Sequence, residues 1–267
     1  MFIMTHNPPF KKATALLQGR IRSTRLPGKV LLPLMGKPAM LHIYERICFC
    51  RRIDHIIVAT STESVDDPIA NMFEDLGVRV FRGSEIDPLD RFHQAVEHYN
   101  LDHVVRIMGD CPLVDPEVVD EVIDTYFNGG HDFCHLTGEF PVGLDVTVYS
   151  RQTLLRCWQE ARGVLEREHI FPYIVQHPDI FDIGSFSKHQ GLRHLRWTMD
   201  HEIDYRFMSA VYENLYKPGK LFLTKDVLAL LEREPMLAEI NTGIFRDEGM
   251  QKAAAKDLLI RSAGKIG

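Results

Sequence analysis

Four cationic side chains lie within ten residues near the start of the sequence: Arg20, Arg22, Arg25 and Lys29. An apolar run over residues 13–17 precedes them, and Pro27 and Gly28 interrupt the segment. Proline and glycine are typical of loops, so residues 19–29, here called the basic loop, are predicted to follow a strand. Open α/β sheets bind ligands at the carboxyl ends of their strands. Because crowded cations repel one another, a phosphate-binding loop is the preferred interpretation, and a solvated basic turn is the alternative.

A carboxylate stands at the end of a second apolar run, where Asp110 follows residues 104–108 and Gly109. Glycine lets a backbone approach a ligand closely. A carboxylate that faces phosphate groups needs a cation between them, and Mg²⁺ binds one or two carboxylates together with phosphate oxygens. Asp110 is therefore a candidate magnesium ligand. The residues alone equally allow that it caps a turn, as Asp commonly does.

Strands and helices alternate along the first half of the chain. Apolar runs at residues 12–18, 56–59, 78–81 and 104–108 are separated by helical patterns, among them Pro88–Tyr99. This alternation predicts βαβ units and an α/β fold with a mostly parallel sheet flanked by helices. Polar residues follow each of these strands, so they are expected to meet in one crevice at the carboxyl edge of the sheet.

The second half of the sequence is less regular. Residues 133–149 are predicted to form two strands, residues 167–176 a helix, and residues 181–186 and 195–198 further strands. We expect one domain over residues 11–245, in which residues 133–198 form a small insertion. A flexible start is expected for residues 1–10, and a polar, mobile tail for residues 246–267.

Composition narrows the functional class. The chain has 267 residues, 45% of them hydrophobic, which suits one large domain. A formal net charge of −6 argues against general nucleic-acid binding. No apolar run is long enough to span a membrane, and the first ten residues lack the pattern of a signal peptide. Five scattered cysteines without a CxxC pair indicate reduced thiols and a cytoplasmic location.

The basic loop resembles the start of the sugar-acid cytidylyltransferases, which activate KDO and sialic acid-like sugars as CMP esters. The branch associated with spore-coat polysaccharide synthesis is the most similar. The family pattern Q-A-R-x-x-S-T-R-L-P-G-K is matched at Gln18, Arg20 and residues 23–29. Gly19 replaces the usual Ala, and Arg22 replaces a small residue. The likeness extends over about residues 13–245 and implies a Rossmann-like nucleotide-diphospho-sugar transferase fold with a sugar-binding and dimerisation insertion.

The resemblance also implies roles for individual residues. CTP, a sugar-acid acceptor and Mg²⁺ would meet here, in a homodimer that serves surface polysaccharide synthesis. Catalysis would rest on Arg20, Lys29 and Asp110, with Asp110 and Asp200 as the metal ligands. By position alone Asp200 suits a helix N-cap. The acceptor would be contacted by Asp145, Glu168 and His169, although His169 equally suits a helical surface position. The implied nucleotide contacts are Gln18, Gly19, Arg20, Ser23, Arg25, Lys29, Thr60, Ser61, Arg82, Gly83, Ser84 and Gly109.

The sequence also bears on several other functions. No GxGxxG opens a helix, which argues against a dinucleotide dehydrogenase. Neither Gly28-Lys29 nor Gly36-Lys37 is followed by Ser or Thr as in a P-loop. The absence of Asp-x-Asp argues against a glycosyltransferase with a related fold. A nucleotidyltransferase for another base or acceptor stays an alternative, as does a nucleotide-binding regulatory domain without catalytic activity.

Overall fold

The structure is a computed structural model that describes residues 11–262, so the flexible start expected for residues 1–10 lies outside the described residues. It contains nine strands over this range. They are β1 Ala13–Gln18, β2 Pro33–Leu34, β3 Lys37–Pro38, β4 Ile53–Ser61, β5 Arg79–Gly83, β6 His103–Met108, β7 Phe133–Thr137, β8 Thr147–Ser150 and β9 Ile183–Ser187.

Seven of these strands form one sheet in the order β5-β4-β1-β6-β8-β7-β9, and β2 and β3 form a separate hairpin. β1 pairs in parallel with β4 and β6, and β4 pairs in parallel with β5. β8 is antiparallel to both of its neighbours, and β9 is again parallel to β7. The predicted α/β fold with a mostly parallel sheet is therefore confirmed.

Helices cover both faces of this sheet. They are α1 Ala39–Ile47, α2 Asp67–Glu74, α3 Pro88–Tyr99, α4 Pro116–Gly129, α5 Arg151–Glu160, α6 Val164–His169, α7 Phe171–Val175, α8 Glu202–Leu215, α9 Thr224–Arg233, α10 Pro235–Ala238 and α11 Glu248–Ser262. Among residues 11–262, none of these helices combines the length and apolarity needed to cross a membrane.

The continuous apolar run of β1 has a physical reason in this arrangement. Ala15 and Leu17 belong to the core on one face of the sheet, and Leu16 belongs to the core on the other face. In a strand that is buried on both faces, apolar residues do not alternate with polar ones.

Capping side chains fix where helices begin. The N-cap of α4 is Asp115, whose carboxylate accepts a hydrogen bond from Glu117 N at 2.9 Å.

Two predicted elements of the second half were wrong. The helix expected over residues 167–176 is divided into α6 and α7 at Ile170, which has a φ of 67°. Pro172 explains the division, because it has no N–H to continue the helix and its ring clashes with the preceding turn. Residues 195–198 form no strand of the sheet, because they hydrogen-bond to a loop: Trp197 N donates to Val142 O at 2.7 Å, and Val142 N donates to Leu195 O at 3.2 Å.

The segment after Arg246 also differs from the mobile tail that its polarity indicated. Residues 248–262 form α11, which packs against α6. The Asp257 carboxylate on α11 accepts hydrogen bonds from Val164 N at 2.5 Å and Leu165 N at 3.0 Å, the free donors at the start of α6. The polar helix α11 is therefore held in place by the cap that its Asp257 provides to α6, and not by an apolar stripe along its own surface.

Gly109 allows the ends of β1 and β6 to approach each other closely. Gly109 N donates to Gln18 O at 2.7 Å, and a Cβ atom added at position 109 would lie 2.5 Å from the same oxygen. The close approach inferred for this glycine is therefore made to the neighbouring strand end. It brings Gln18 and Asp110 to the same edge of the sheet.

We predict that Gly109→Ala destabilises the fold. The added methyl group forces the two strand ends apart, and overpacking of this kind costs roughly 1–3 kcal/mol. Urea unfolding should show a lower midpoint than that of the parent. Gly249→Ala is the matched control, since its nearest neighbours would lie at 3.7 Å and alanine favours a helix. Equal stability of the parent and Gly109→Ala would contradict the steric argument.

Candidate active site

A cavity of about 410 Å³ opens at the carboxyl ends of β1 and β6. The basic loop forms one wall, through Gly19, Arg20, Ser23, Arg25 and Lys29 among others. Another part of the lining, here called the acceptor side after the role predicted for three of its residues, includes Arg106, Asp145, Glu168, His169 and Arg246. Asp110 and Asp200 also line the cavity. The expected crevice at the sheet edge is therefore present, and it collects residues from distant parts of the chain.

The centre of the cavity is an ion-pair cluster. Lys29 begins a 3₁₀ turn after Gly28, whose φ of 70° suits glycine at this sharp bend. Its ammonium group contacts a carboxylate oxygen of Asp110 and lies 2.6 Å from Oδ1 of Asp200. The two predicted metal ligands therefore converge on one cation, although they are distant from each other in sequence.

Asp200 is free to face this cluster because another residue performs the capping. Asp204 Oδ2 accepts hydrogen bonds from Asp200 N at 3.0 Å and from His201 N at 2.9 Å at the start of α8. The Asp200 carboxylate pairs instead with Arg25 at 2.8 Å and with Arg196 at 3.2 Å. The alternative prediction, that the Asp200 side chain caps a helix, is therefore wrong for α8.

The cluster shifts the pKa of Lys29 and the pKa of Asp200. Burial opposes the charge of Lys29, but the two facing carboxylates outweigh this effect and raise its pKa. Burial likewise acts to raise the pKa of Asp200, and the charges of Lys29 and Arg25 overcome it and hold that pKa well below its usual range. Lys29 and Asp200 therefore both carry charge at neutral pH.

The donor set at this cluster fits Mg²⁺. Within residues 11–262, no group of three or more His, Cys, Asp or Glu side chains is arranged to hold a metal ion. Two hard carboxylates nevertheless suit Mg²⁺, which takes its remaining ligands from substrate phosphates and water. Asp110 and Asp200 are the residues that would hold the ion. The Lys29 ammonium group contacts both carboxylates, so this space already attracts a positive charge.

Two of the basic-loop arginines are oriented by one neighbour. Arg20 donates to the backbone oxygen of Glu85 at 3.0 Å, and Arg22 donates to the Glu85 carboxylate at 3.1 Å. Both side chains line the cavity, and Arg22 is more than half exposed. Arg22, one of the two departures from the family pattern, thus lies at the rim of the cavity.

The five residues predicted to surround the base do not line this cavity: Thr60, Ser61, Arg82, Gly83 and Ser84. Ser61 is buried and donates to Asp66, which also accepts a hydrogen bond from Ile21 N at 2.7 Å. Arg82 donates to Ser61 O at 2.9 Å. In this structure Ser61 supports the basic loop through Asp66, and the contact of these five residues with a nucleotide base stays a prediction.

The three predicted acceptor residues do line the cavity. Asp145 Oδ2 accepts a hydrogen bond from Gly143 N at 3.0 Å. The Asp145 side chain faces the open space of the cavity, and the walls of the cavity surround it. The resulting desolvation raises the pKa of Asp145. His169 is no ordinary surface residue, because burial, followed by the nearby Arg106 charge, lowers its pKa to about 4. His169 is therefore neutral at physiological pH.

Sequence reasoning missed two arginines of the acceptor side. Arg106 lies within the apolar strand β6. Because a cation is unusual in a strand that is buried on both faces, the sequence alone could have indicated that this arginine has a special role. Arg246 precedes α11, and Asp247, Gly249 and Met250 of the same segment also line the cavity. No local pattern indicated that this segment returns to the site.

The comparisons with known proteins agree with this geometry. The sequence model of the family described as cytidylyltransferase matches residues 14–241. The spore coat polysaccharide biosynthesis protein SpsF of Bacillus subtilis is 31% identical, with coverage of 82% of this chain and 94% of SpsF. A 3-deoxy-manno-octulosonate cytidylyltransferase of Geobacter sulfurreducens is 36% identical, but over only 41% of this chain and 43% of that enzyme. The solved structure of a cytidylyltransferase from Leptospira borgpetersenii has a TM-score of 0.81 and 29% identity, and covers 88% of this chain and all of that one.

We predict that Lys29→Met destabilises the fold by roughly 1–3 kcal/mol at pH 7, because it leaves two carboxylates facing each other. Lys29, Asp110 and Asp200 are only 11%, 15% and 18% exposed, so solvent screens them weakly. Because the pKa of Asp200 is lowered in the folded state, its ion pairs stabilise the fold at pH values above the unfolded pKa of about 3.9. This stabilisation is lost as the pH falls through the pKa of Asp200 in the folded state. The stability difference should therefore narrow below about pH 4.

Chemical denaturation at pH 7 and pH 3 measures this difference. Lys37→Met is the matched control, because Lys37 pairs with Glu45 at a more exposed site and should cost less than about 1 kcal/mol. Equal losses for Lys29→Met at both pH values would show that lost packing, and not charge, is responsible.

Proposed function

The chain belongs to the cytidylyltransferase family, and we propose that it uses CTP to activate a sugar acid of the KDO or nonulosonic acid type as a CMP ester. Membership in this family makes the chain a nucleotidyltransferase. The nature of the acceptor and a role in surface polysaccharide synthesis are the proposed parts. They are supported by the likeness to SpsF and to an enzyme named for 3-deoxy-manno-octulosonate.

One observation carries this proposal: Asp110 and Asp200 meet at Lys29 between the basic loop and the acceptor side. A nucleotidyl transfer needs positive charge around a triphosphate, a metal site at the α-phosphate and space for the acceptor beyond it. The lining of the cavity includes residues suited to each of these three requirements. The acceptor side adds carboxylates, which suit the hydroxyl groups of a sugar.

In the proposed reaction, a hydroxyl oxygen of the acceptor attacks the α-phosphorus of CTP, and the bond to the pyrophosphate oxygen breaks. Arg20 and Lys29 hold the phosphate groups, and Arg25 supports the loop through Asp200. When bound at Asp110 and Asp200, Mg²⁺ supplies charge neutralisation at the α-phosphate and favours ionisation of the attacking hydroxyl. Most of the catalysis then comes from positioning and electrostatics.

We propose further that the enzyme is a cytoplasmic homodimer. The dimer proposal is supported by the irregular region of residues 133–198, which ends the sheet with the edge strand β9. A strand edge with free backbone groups can pair with or be covered by a second copy. Sedimentation of the full chain as a monomer at micromolar concentration would contradict this proposal.

A pyrophosphate-release assay with CTP, UTP, ATP and GTP against a panel of sugar acids tests the reaction itself. We expect turnover that requires Mg²⁺, prefers CTP and depends on the presence of a sugar acid. Equal turnover with UTP would contradict the assignment of the nucleotide. Tight CTP binding without pyrophosphate release for any acceptor would favour a regulatory nucleotide-binding domain instead.

We predict that Asp110→Asn and Asp200→Asn each lower kcat on the order of 10³-fold, because loss of a charged group from a phosphoryl-transfer site commonly has this effect. Both variants should fold, since Asn retains size and most hydrogen bonding. If both residues act through one ion, the double variant should be scarcely slower than either single variant.

Asp179→Asn, at an exposed position, controls for the loss of a negative charge and should retain parental activity. Multiplicative losses in the double variant would show that Asp110 and Asp200 act independently. In that case the shared metal site would be abandoned.

A further inference from the structure

A second cavity, of about 350 Å³, is lined by residues of α1, of the end of α8 and of the loop that leads into α9. Its lining residues fall within residues 37–49 and 212–222, and it is here called the α1–α8 pocket. It shares no lining residue with the candidate active site. Small-molecule sites in proteins have volumes of about 300 Å³ or more, so this pocket is large enough to hold a ligand.

Aromatic side chains form the apolar part of the α1–α8 pocket. The rings of Tyr212 and Phe222 meet edge to face, with their centres 5.3 Å apart, and the ring of Tyr216 stacks on that of Tyr212 at 6.0 Å. Phe49 also lines the pocket and is more than half exposed. Aromatic rings attract one another through stacked and edge-to-face contacts, so such a lining favours a ligand with a planar ring.

The charged residues of this pocket leave an excess of positive charge. Three cations line it, Lys37, Arg46 and Lys220, and Glu45 is the one carboxylate among its described lining residues. Lys37 pairs with Glu45 at 2.6 Å. Within residues 11–262, neither Arg46 nor Lys220 forms an ion pair. The excess is notable in a chain with a formal net charge of −6, and an anionic ligand would complement it.

Arg46 is a buried cation whose hydrogen-bond partners are neutral. The residue is only 5% exposed; Nε donates to Val114 O at 2.7 Å, and NH2 donates to Phe222 O at 2.8 Å. NH1 makes no hydrogen bond with residues 11–262. Burial lowers the pKa of Arg46, and nearby acidic groups offset this only in part. A buried cation with only neutral partners is costly, and a bound anion removes much of that cost.

We propose that the α1–α8 pocket is a second ligand site, which binds a small compound with a planar aromatic ring and one anionic group, either a carboxylate or a phosphate. The ring packs against Tyr216 and Phe222, and the anionic group binds Arg46 and Lys220. This inference does not depend on the proposed function. The volume suits two fused rings, because an apolar cavity of about 150 Å³ already binds benzene.

Calorimetric titration of the full chain with 2-naphthoate, 2-naphthyl phosphate and the neutral 2-naphthylmethanol tests the proposal. We expect the preferred anion to bind at least 10-fold more tightly than the alcohol, the effect of one charge-assisted hydrogen bond. The comparison of the carboxylate with the phosphate identifies the anionic group that the pocket prefers.

Variants of the two unpaired cations test their roles. We expect Arg46→Met to weaken binding of the anion by roughly 10- to 100-fold and to leave binding of the alcohol unaffected. Lys220→Met should weaken anion binding by up to about fivefold, because Lys220 is exposed. Lys225→Met is the matched control, since Lys225 is an exposed residue of α9 that does not line the pocket.

Cys48 provides a second readout that is localised to this pocket. Cys48 lines the pocket and is exposed, whereas the other four cysteines are buried. Iodoacetamide should therefore alkylate Cys48 first, as mass spectrometry of the labelled chain would show. The preferred anion, at about ten times its Kd, should slow this alkylation roughly 10-fold. Cys48→Ser identifies the labelled position.

Four results overturn the proposal: no binding of either anion at millimolar concentration, equal affinity for the anions and the alcohol, unchanged anion affinity in both cation variants, or bound anion that leaves the alkylation rate of Cys48 unchanged. The last result would place the anion elsewhere on the protein. Because Arg46 also holds the backbone at Val114, urea unfolding must first show that Arg46→Met folds. If it does not, Lys220→Met and the protection of Cys48 decide.

Discussion

The contact of one ammonium group with two carboxylates organises the active site of this protein. Lys29 stands between Asp110 and Asp200, and each of the three belongs to a different part of the fold: the basic loop, the end of β6 and the start of α8. Without the cation, two partly buried carboxylates would repel each other. Without the carboxylates, the desolvated lysine would have a lowered pKa rather than a raised one. The cluster therefore fixes the relative positions of these three segments.

A buried polar framework behind the cluster holds it in place. Asp204 is fully buried, and it binds Arg196 at 2.8 Å and Asn241 at 3.0 Å as well as the backbone at the start of α8. Because Asp204 caps this helix, the carboxylate of Asp200 remains available for the cavity. Asp66 has the corresponding role behind the basic loop, through Ser61 and Ile21. Such fully hydrogen-bonded networks give a site rigidity that a loop alone lacks.

The last helix joins both sides of the cavity. Glu248, at the start of α11, lies 2.8 Å from His201 Nε2 and 3.8 Å from Arg25 Nε, next to the ion-pair cluster. Hydrogen bonds from Lys252 and His201 lower the pKa of Glu248 to about 2. The same helix caps α6 and is preceded by Arg246. A segment that follows the common family region thus lies next to both the ion-pair cluster and the acceptor side.

The sequence by itself determined the local features: the strand β1, the bounds of α3, the basic loop and the two aspartates. These depend on periodicity, proline, glycine and capping residues, which act over a few positions. Only the tertiary structure decided that Lys29 meets carboxylates 81 and 171 residues away, that Ile170 divides a helix and that residues 195–198 bond to loops. It also decided that Arg246 and the first residues of α11 line the cavity. Each of these depends on long-range contacts, and the polar sequence of α11 has no apolar stripe from which its partner could be inferred.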